Sequence, residues 1–186
     1  MSDEDKVIRI GTDDGEPSYQ FDLHRVHVDL FHLLSIVLAD EKIAHVIEDE
    51  ADPIWDLCSV AETEIARILV TSAVVARIAD DQRGHVLLAS PDPCGSLCED
   101  TGSQATMPLT LREACNKIIH AKQLQLDIKH TTKELYSIMP TVYLLGEKNG
   151  KSWEAELDLV QYVRNFFCRT KVVDDEDTEQ KDGQGR

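Results

Sequence analysis

The stretch Phe21-Asp-Leu-His-Arg-Val-His-Val-Asp-Leu30-Phe-His-Leu-Leu-Ser-Ile-Val-Leu-Ala-Asp40-Glu-Lys-Ile43 sets the expectation for the fold. Phe21, Leu23, Val26, Leu30, Leu33, Leu34, Val37, Leu38 and Ile43 recur at threes and fours, the period of an amphipathic helix. That helix is expected over 21–47, ended by Glu48-Asp49-Glu50 and Pro53. A second is expected over 54–82, with Leu57, Val60, Ala61, Ile65, Ile68, Leu69 and Ala73 along one face. Gly84, just past Arg83, marks its C-terminal end. Two long helices joined by a short Pro-containing link predict an antiparallel pair.

Downstream the pattern changes. Residues 84–107 hold Pro91, Pro93, Gly95 and Gly102 without a sustained period, and read as a long loop. Pro108 and the capping box Thr110-Leu-Arg-Glu113 open a third helix, expected from Leu111 to Lys122. Leu124, Leu126 and Ile128 then alternate with Gln125, Asp127 and Lys129, as in a half-buried strand. Thr141-Val-Tyr-Leu-Leu and Lys151-Ser-Trp-Glu-Ala flank Asn149-Gly150, a strong hairpin signal. From Leu157 a helical period returns in Leu159, Val160, Val163, Phe166 and Phe167. The expected fold class is therefore mainly α. It is a four-helix bundle with a small antiparallel β-sheet inserted between the third and fourth helices. Residues 1–19 read as a flexible arm, 20–170 as one domain with the β insertion at 124–156, and 171–186 as a disordered acidic tail.

Composition narrows the function classes. Of 186 residues, 42% are apolar, enough for one core. No apolar run approaches the roughly 20 residues a membrane helix needs, and the acidic N-terminus is unlike a secretory signal. A soluble, cytoplasmic protein with no membrane partner is expected. Nineteen Lys and Arg against 35 Asp and Glu give a net charge of −16. With residues 1–20 and 171–186 set aside, 23 acids and 14 bases remain, so the body is acidic too. Phosphate-neutralising proteins carry the opposite sign, so no DNA partner is expected, and RNA only at a local basic site. Five cysteines, an odd number, do not form a disulfide framework and suit the reducing cytosol.

The segment richest in chemistry is Leu111-Arg-Glu-Ala-Cys-Asn-Lys-Ile-Ile-His120. Arg112, Asn116 and His120 are spaced by four, so each drifts only about 40° around a helix. A guanidinium, an amide and an imidazole on one edge can hold an anionic oxygen, orient a group and move a proton. The competing reading makes Arg112 a solvated first-turn residue, with Asn116 and His120 bonded to backbone or a partner chain.

Asn116-Lys-Ile-Ile-His120, late in a helical chain, resembles the signature of the HEPN superfamily (higher eukaryote and prokaryote nucleotide-binding domains). That signature is an Arg, four to six residues, then a His, often with Asn directly after the Arg. The resemblance implies a HEPN-like helical bundle that pairs as a homodimer and cleaves RNA without metal, as toxin and defence members do. It assigns His120 as acid/base, Arg112 as phosphate stabiliser and Asn116 as orienting residue, with no cofactor. The chain departs from the pattern at Cys115, which stands where the family Arg is expected. Arg112 lies one turn earlier, with seven intervening residues, and Lys122 stands where some toxin members carry Tyr. The alternative implied is a catalytically inactive dimerisation or interaction module. There the third helix forms an interface, and the acidic surface meets a basic protein partner.

Other residues invite weaker readings. Cys115 could be a nucleophile with His120 as base, but about 140° on one helix separates them, so a buried core thiol is preferred. His24, His27 and His32 with Asp22 and Asp29 lack the paired carboxylate and Glu-x-x-His pattern of a bundle metal site, so no metal is expected. Cys94 and Cys98 form a lone C-x3-C, read as two exposed loop thiols. Glu64 and Arg67 read as a surface pair, with Glu62 beside them. Tyr143 and Trp153 are candidates for partner contact or for packing. No phosphate loop, nucleophile elbow or HExxH occurs.

Overall fold

A computed structural model describes residues 7–9, 20–47, 52–54, 56–103, 105–130 and 136–182. Strand β1 (Val7–Arg9) pairs antiparallel with β2 (Gln20–Asp22), and α1 (Leu23–Val46) follows at once. The rest of the expected N-terminal arm lies outside the described residues. Leu23, Val26, Leu30, Leu33 and Val37 of α1 are buried, as their spacing dictates. At the link, the Asp52 carboxylate accepts the Ile54 N–H at 2.9 Å beside Pro53.

Helix α2 (Leu57–Gln82) buries Ile65, Ile68, Leu69, Ala73 and Ala76. Gly84 at φ +65° and His85 at φ +69° turn the chain off its end, and the His85 N–H reaches the Asp80 carbonyl at 2.8 Å. The long side chain of Arg67 ties the two helices together. It donates to both Glu64 oxygens at 2.8 and 2.7 Å and to the buried Asp29 at 3.2 Å. The expected surface pair thus also bridges to α1.

The mainly-α bundle is overturned beyond this point. The supposed loop 84–107 contains β3 (Gly95–Cys98) and leads into β4 (Thr106–Pro108). After α3 (Leu111–His120) come β5 (Gln123–His130), β6 (Tyr136–Lys148) and β7 (Lys151–Asp158). These strands form one five-stranded antiparallel sheet in the order β4-β3-β7-β6-β5. Helix α4 (Leu159–Asp182) closes the chain, running past residue 170, where the tail was expected to begin. The molecule is α+β: helices cover one face of an antiparallel sheet.

Register explains why the sheet is a structural half and not an appendage. Leu97 pairs with Ala155, Ala155 with Leu144 and Leu144 with Leu124, so one row crosses four strands on the helix side. Leu97, Ala155 and Leu144 are fully buried, and Val142, Trp153 and Leu157 extend the same face. Against them pack Leu111, Ala114 and Ile118 of α3 and Leu159, Tyr162 and Phe166 of α4. A bundle core would have to satisfy those helical faces against one another; here the pleated surface does so. Gly146 permits one close approach. A Cβ there would strike the Trp153 ring, which lies flat enough for the Lys117 ammonium to sit 4.4 Å from its centre. Trp153 is therefore core, while Tyr143 is half-buried on the opposite face.

The β6–β7 turn follows the sequence closely. Asn149 and Gly150 both take positive φ, +54° and +75°, as a two-residue hairpin of the primed type requires. The Thr110 hydroxyl accepts the Glu113 N–H at 3.3 Å, half of the capping box; the Glu113 carboxylate accepts from Asn116 at 3.2 Å.

Candidate functional site

Helix α3 is only ten residues long, and Leu111, Ala114, Cys115, Lys117 and Ile118 take its inner side. Arg112, Asn116 and His120 are left on the outer edge, as the spacing of four demands. Each then finds different surroundings. Arg112 reaches back to the end of α2, where its guanidinium meets Asp80 and, at 3.4 Å, Asp81. Asn116 donates to Glu113. His120 is exposed at the C-terminal end of the helix.

The α2 end is a clamp built from charge. Asp80 is fully buried, and its Oδ1 accepts the Leu88 N–H at 2.9 Å. Arg77 lies 3.6 Å from Asp80 and 3.2 Å from Asp81, and His85 Nδ1 lies 3.2 Å from Asp81. Two aspartates between two arginines form a nearly neutral network that fastens α2, the 85–88 turn and α3 together. Asp80, Asp81 and His85 hold three donor atoms within 4.8 Å of one another. The guanidiniums of Arg77 and Arg112 pair with Asp80 Oδ2 and Asp81 Oδ1 and already balance the two carboxylates.

Cys115 is no nucleophile. Complete burial, the largest influence, pushes its thiol up to about 12, and it shares the core with the Tyr162 hydroxyl, itself raised by burial. Cys94 is buried too, its thiol raised by burial and bonded by the Asn165 amide at 3.4 Å. The expectation of two exposed loop thiols is therefore corrected. Cys98 is half-buried on β3, and its thiol donates to the Asp100 carbonyl.

The feature that sequence reading missed lies on the outer face of the sheet. Ser96 pairs with Glu156, Glu156 with Tyr143 and Tyr143 with Gln125, one row across four strands pointing away from the helices. The next row runs Cys98, Glu154, Leu145, Gln123. Tyr143 thus stands among carboxylates. Partial burial and the nearby charges of Asp127, Glu156 and Glu154 all hold its phenol in the protonated form. A shallow hollow of about 330 Å³ opens beside it, lined by Ser96, Cys98, Thr101, Thr106, Glu154 and Glu156. A second, of about 360 Å³, lies over Asp100, Met107 and Lys151, where the Lys151 ammonium donates to Asp100 at 2.7 Å and keeps that carboxyl below its usual range. Neither hollow is lined by Arg112, Asn116 or His120. Alternation in β7 signalled that Glu154 and Glu156 share a side, but only register brings Tyr143 and Asp127 to them.

No helix among the described residues is long and apolar enough to cross a membrane. No protein-family model, curated protein or solved structure matches the chain.

Proposed function

We propose that the chain is a non-catalytic binding module of the cytoplasm that receives a basic protein segment on the outer face of its sheet. The observation that carries this reading is the set of carboxylates, Glu154, Glu156 and Asp127, gathered around Tyr143 on neighbouring strands. A phenol ring amid carboxylates suits Lys and Arg side chains, which pair with the acids and stack on the aromatic face. The hollow bordered by Glu154 and Glu156 has room for one such side chain. The net charge of −16 draws a basic partner from a distance and repels nucleic acid.

The ribonuclease reading asks Arg112 to meet a phosphate. To do so it would have to leave Asp80 and Asp81, and a buried carboxylate would lose its closest cation. An RNA phosphate would also approach a chain of the same sign.

The test uses an arginine-rich peptide as probe, titrated calorimetrically into the full chain at low and physiological salt. Glu154→Lys with Glu156→Lys is expected to weaken binding at least tenfold. The same charge change placed at the start of α2, Asp56→Lys with Glu62→Lys, is expected to do so far less. Equal losses from both pairs would reduce the effect to net charge and overturn the site. Single-stranded RNA incubated with the chain without metal is expected to stay intact. Cleavage abolished by His120→Ala would overturn the non-catalytic reading.

A further inference from the structure

The hollow bordered by Glu154 and Glu156 has a neighbour. Thr106 of β4 lines it and also lines the second hollow, the one of about 360 Å³, so the two meet at a single residue. The turn joining β3 to β4 contributes to both: Thr101 to the first, and Glu99, Asp100 and Ser103 to the second. That turn is tied down at both ends of its span. The Thr101 N–H donates to the Ser152 carbonyl at 3.0 Å, and the Asp100 carboxylate accepts the Gly102 N–H at 3.0 Å and the Lys151 ammonium at 2.7 Å.

The ion pairs show which charges are left over. Asp100 and Lys151 cancel one another. Glu99 is exposed and has no hydrogen-bond or ion-pair partner among the described residues, and the same holds for Glu154 and Glu156. The first hollow therefore keeps two uncompensated carboxylates and the second keeps one, so an anionic side chain is disfavoured in either. The second hollow also has an apolar wall, Met107 at 48% exposure with Ala105. The methylene stem of a Lys or Arg can lie along that wall with its cationic head at Glu99. The hydroxyls of Ser103 and Thr106 accept the hydrogen bonds such a head has to spare.

We infer that the second hollow takes a second Lys or Arg of the same partner segment, an inference that rests on reading the outer sheet face as the site for a basic segment. The segment recognised is then one with two basic residues close together in sequence. In an extended segment, alternate residues leave on the same side about 7 Å apart. Hollows that share a lining residue are neighbours on that scale. Once the first basic residue is seated, the second binds from the same tethered segment, without a new encounter.

The test uses acetylated and amidated glycine–serine peptides, titrated into the full chain at low salt. One carries a single arginine, one carries two arginines with one residue between them, and one carries two arginines at opposite ends of a long peptide. The close pair should bind about fivefold tighter than the single arginine, the gain an exposed ion pair supplies. The distant pair should gain about twofold or less, the statistical factor for two equivalent residues. Glu99→Gln should remove most of the close-pair gain and leave the single-arginine affinity unchanged. Glu62→Gln, also exposed but on α2, should preserve the gain. No gain from the close pair, a gain that survives Glu99→Gln, or an equal gain from the distant pair would overturn the two-hollow site and leave the first hollow standing. Single-arginine affinity untouched by Glu154→Lys with Glu156→Lys would instead defeat the reading of the sheet face, and this inference with it.

Discussion

The Arg112 guanidinium rests on the Asp80 carboxylate and thereby joins the first turn of α3 to the last turn of α2. Asp80 is fully buried and also holds the Leu88 N–H and faces Arg77. Its removal leaves the Leu88 N–H without its acceptor and Arg77 and Arg112 with Asp81 alone. Asp80→Ala is expected to cost about 3–5 kcal/mol, as for a broken buried ion pair. At this chain length that lowers Tm by roughly 6–20 °C. Urea unfolding measures it, and an unchanged midpoint would show that the clamp has no structural role. Arg112 is 30% exposed, so Arg112→Ala should cost less.

Asp40 provides a pH-dependent counterpart. It is buried on α1 and accepts the Ile138 N–H of β6 at 2.7 Å. Burial raises its carboxyl above the usual value, outweighing the opposing hydrogen bond. Folding therefore favours the protonated form. The resulting stabilisation is full below the unfolded value of about 3.9 and is lost as pH rises through the raised folded value. Asp40→Asn, neutral at every pH and still an acceptor, should gain stability relative to wild type between pH 3 and pH 7. Asp40→Ala should instead lose about 1–3 kcal/mol, because the buried Ile138 N–H is left unpaired. Paired denaturation curves at the two pH values decide this; a gap that stays constant would contradict the assignment.

Thiol labelling offers a direct check on the core. With iodoacetamide at pH 8, Cys98 and Cys168 in the folded chain are expected to react, since one is half-buried and the other exposed. Cys94 and Cys115 should be modified only after unfolding. Peptide mass spectrometry reads each site. Rapid native labelling of Cys115 would contradict its place between α3 and α4.

Gly146 and Trp153 test the sheet's inner face. Gly146→Ala pushes a methyl group into the indole, and overpacking of this kind costs about 1–3 kcal/mol. The ring should tilt away from Lys117, changing the near-UV spectrum as well as the stability. A fully stable variant with an unaltered spectrum would mean that the indole has room to move.

Features encoded locally were legible from sequence. The ends of α1 lie within two residues of their expected places, the Asn149-Gly150 turn forms as read, and Thr110 caps α3. Features that need a distant partner were not. Strands β3 and β4 are four and three residues long, too short for a period to emerge among Pro91, Pro93 and Gly102. β3 exists because β7, far along the chain, supplies its hydrogen bonds, and β4 forms on the free edge of β3. Arg112, Asn116 and His120 do share an edge of α3, as the spacing required. Spacing says nothing of Asp80, thirty-two residues earlier, which engages the guanidinium. The acidic cluster is likewise a product of strand pairing, since Glu154 and Glu156 of β7 and Asp127 of β5 meet around Tyr143 of β6.

The pairing of Gly95 with Leu157, sixty-two positions apart, carries a consequence for biosynthesis. A nascent chain emerging from the ribosome can form the α1–α2 hairpin early, but the sheet cannot close until β7 has left the exit tunnel. Until then the apolar side of α1 lacks the β6 surface it will cover and α2 lacks α3, and the unfinished polypeptide depends on holding factors or on rapid elongation to escape aggregation. Slowing translation just upstream of codon 151 should therefore reduce soluble yield more than slowing it after codon 170.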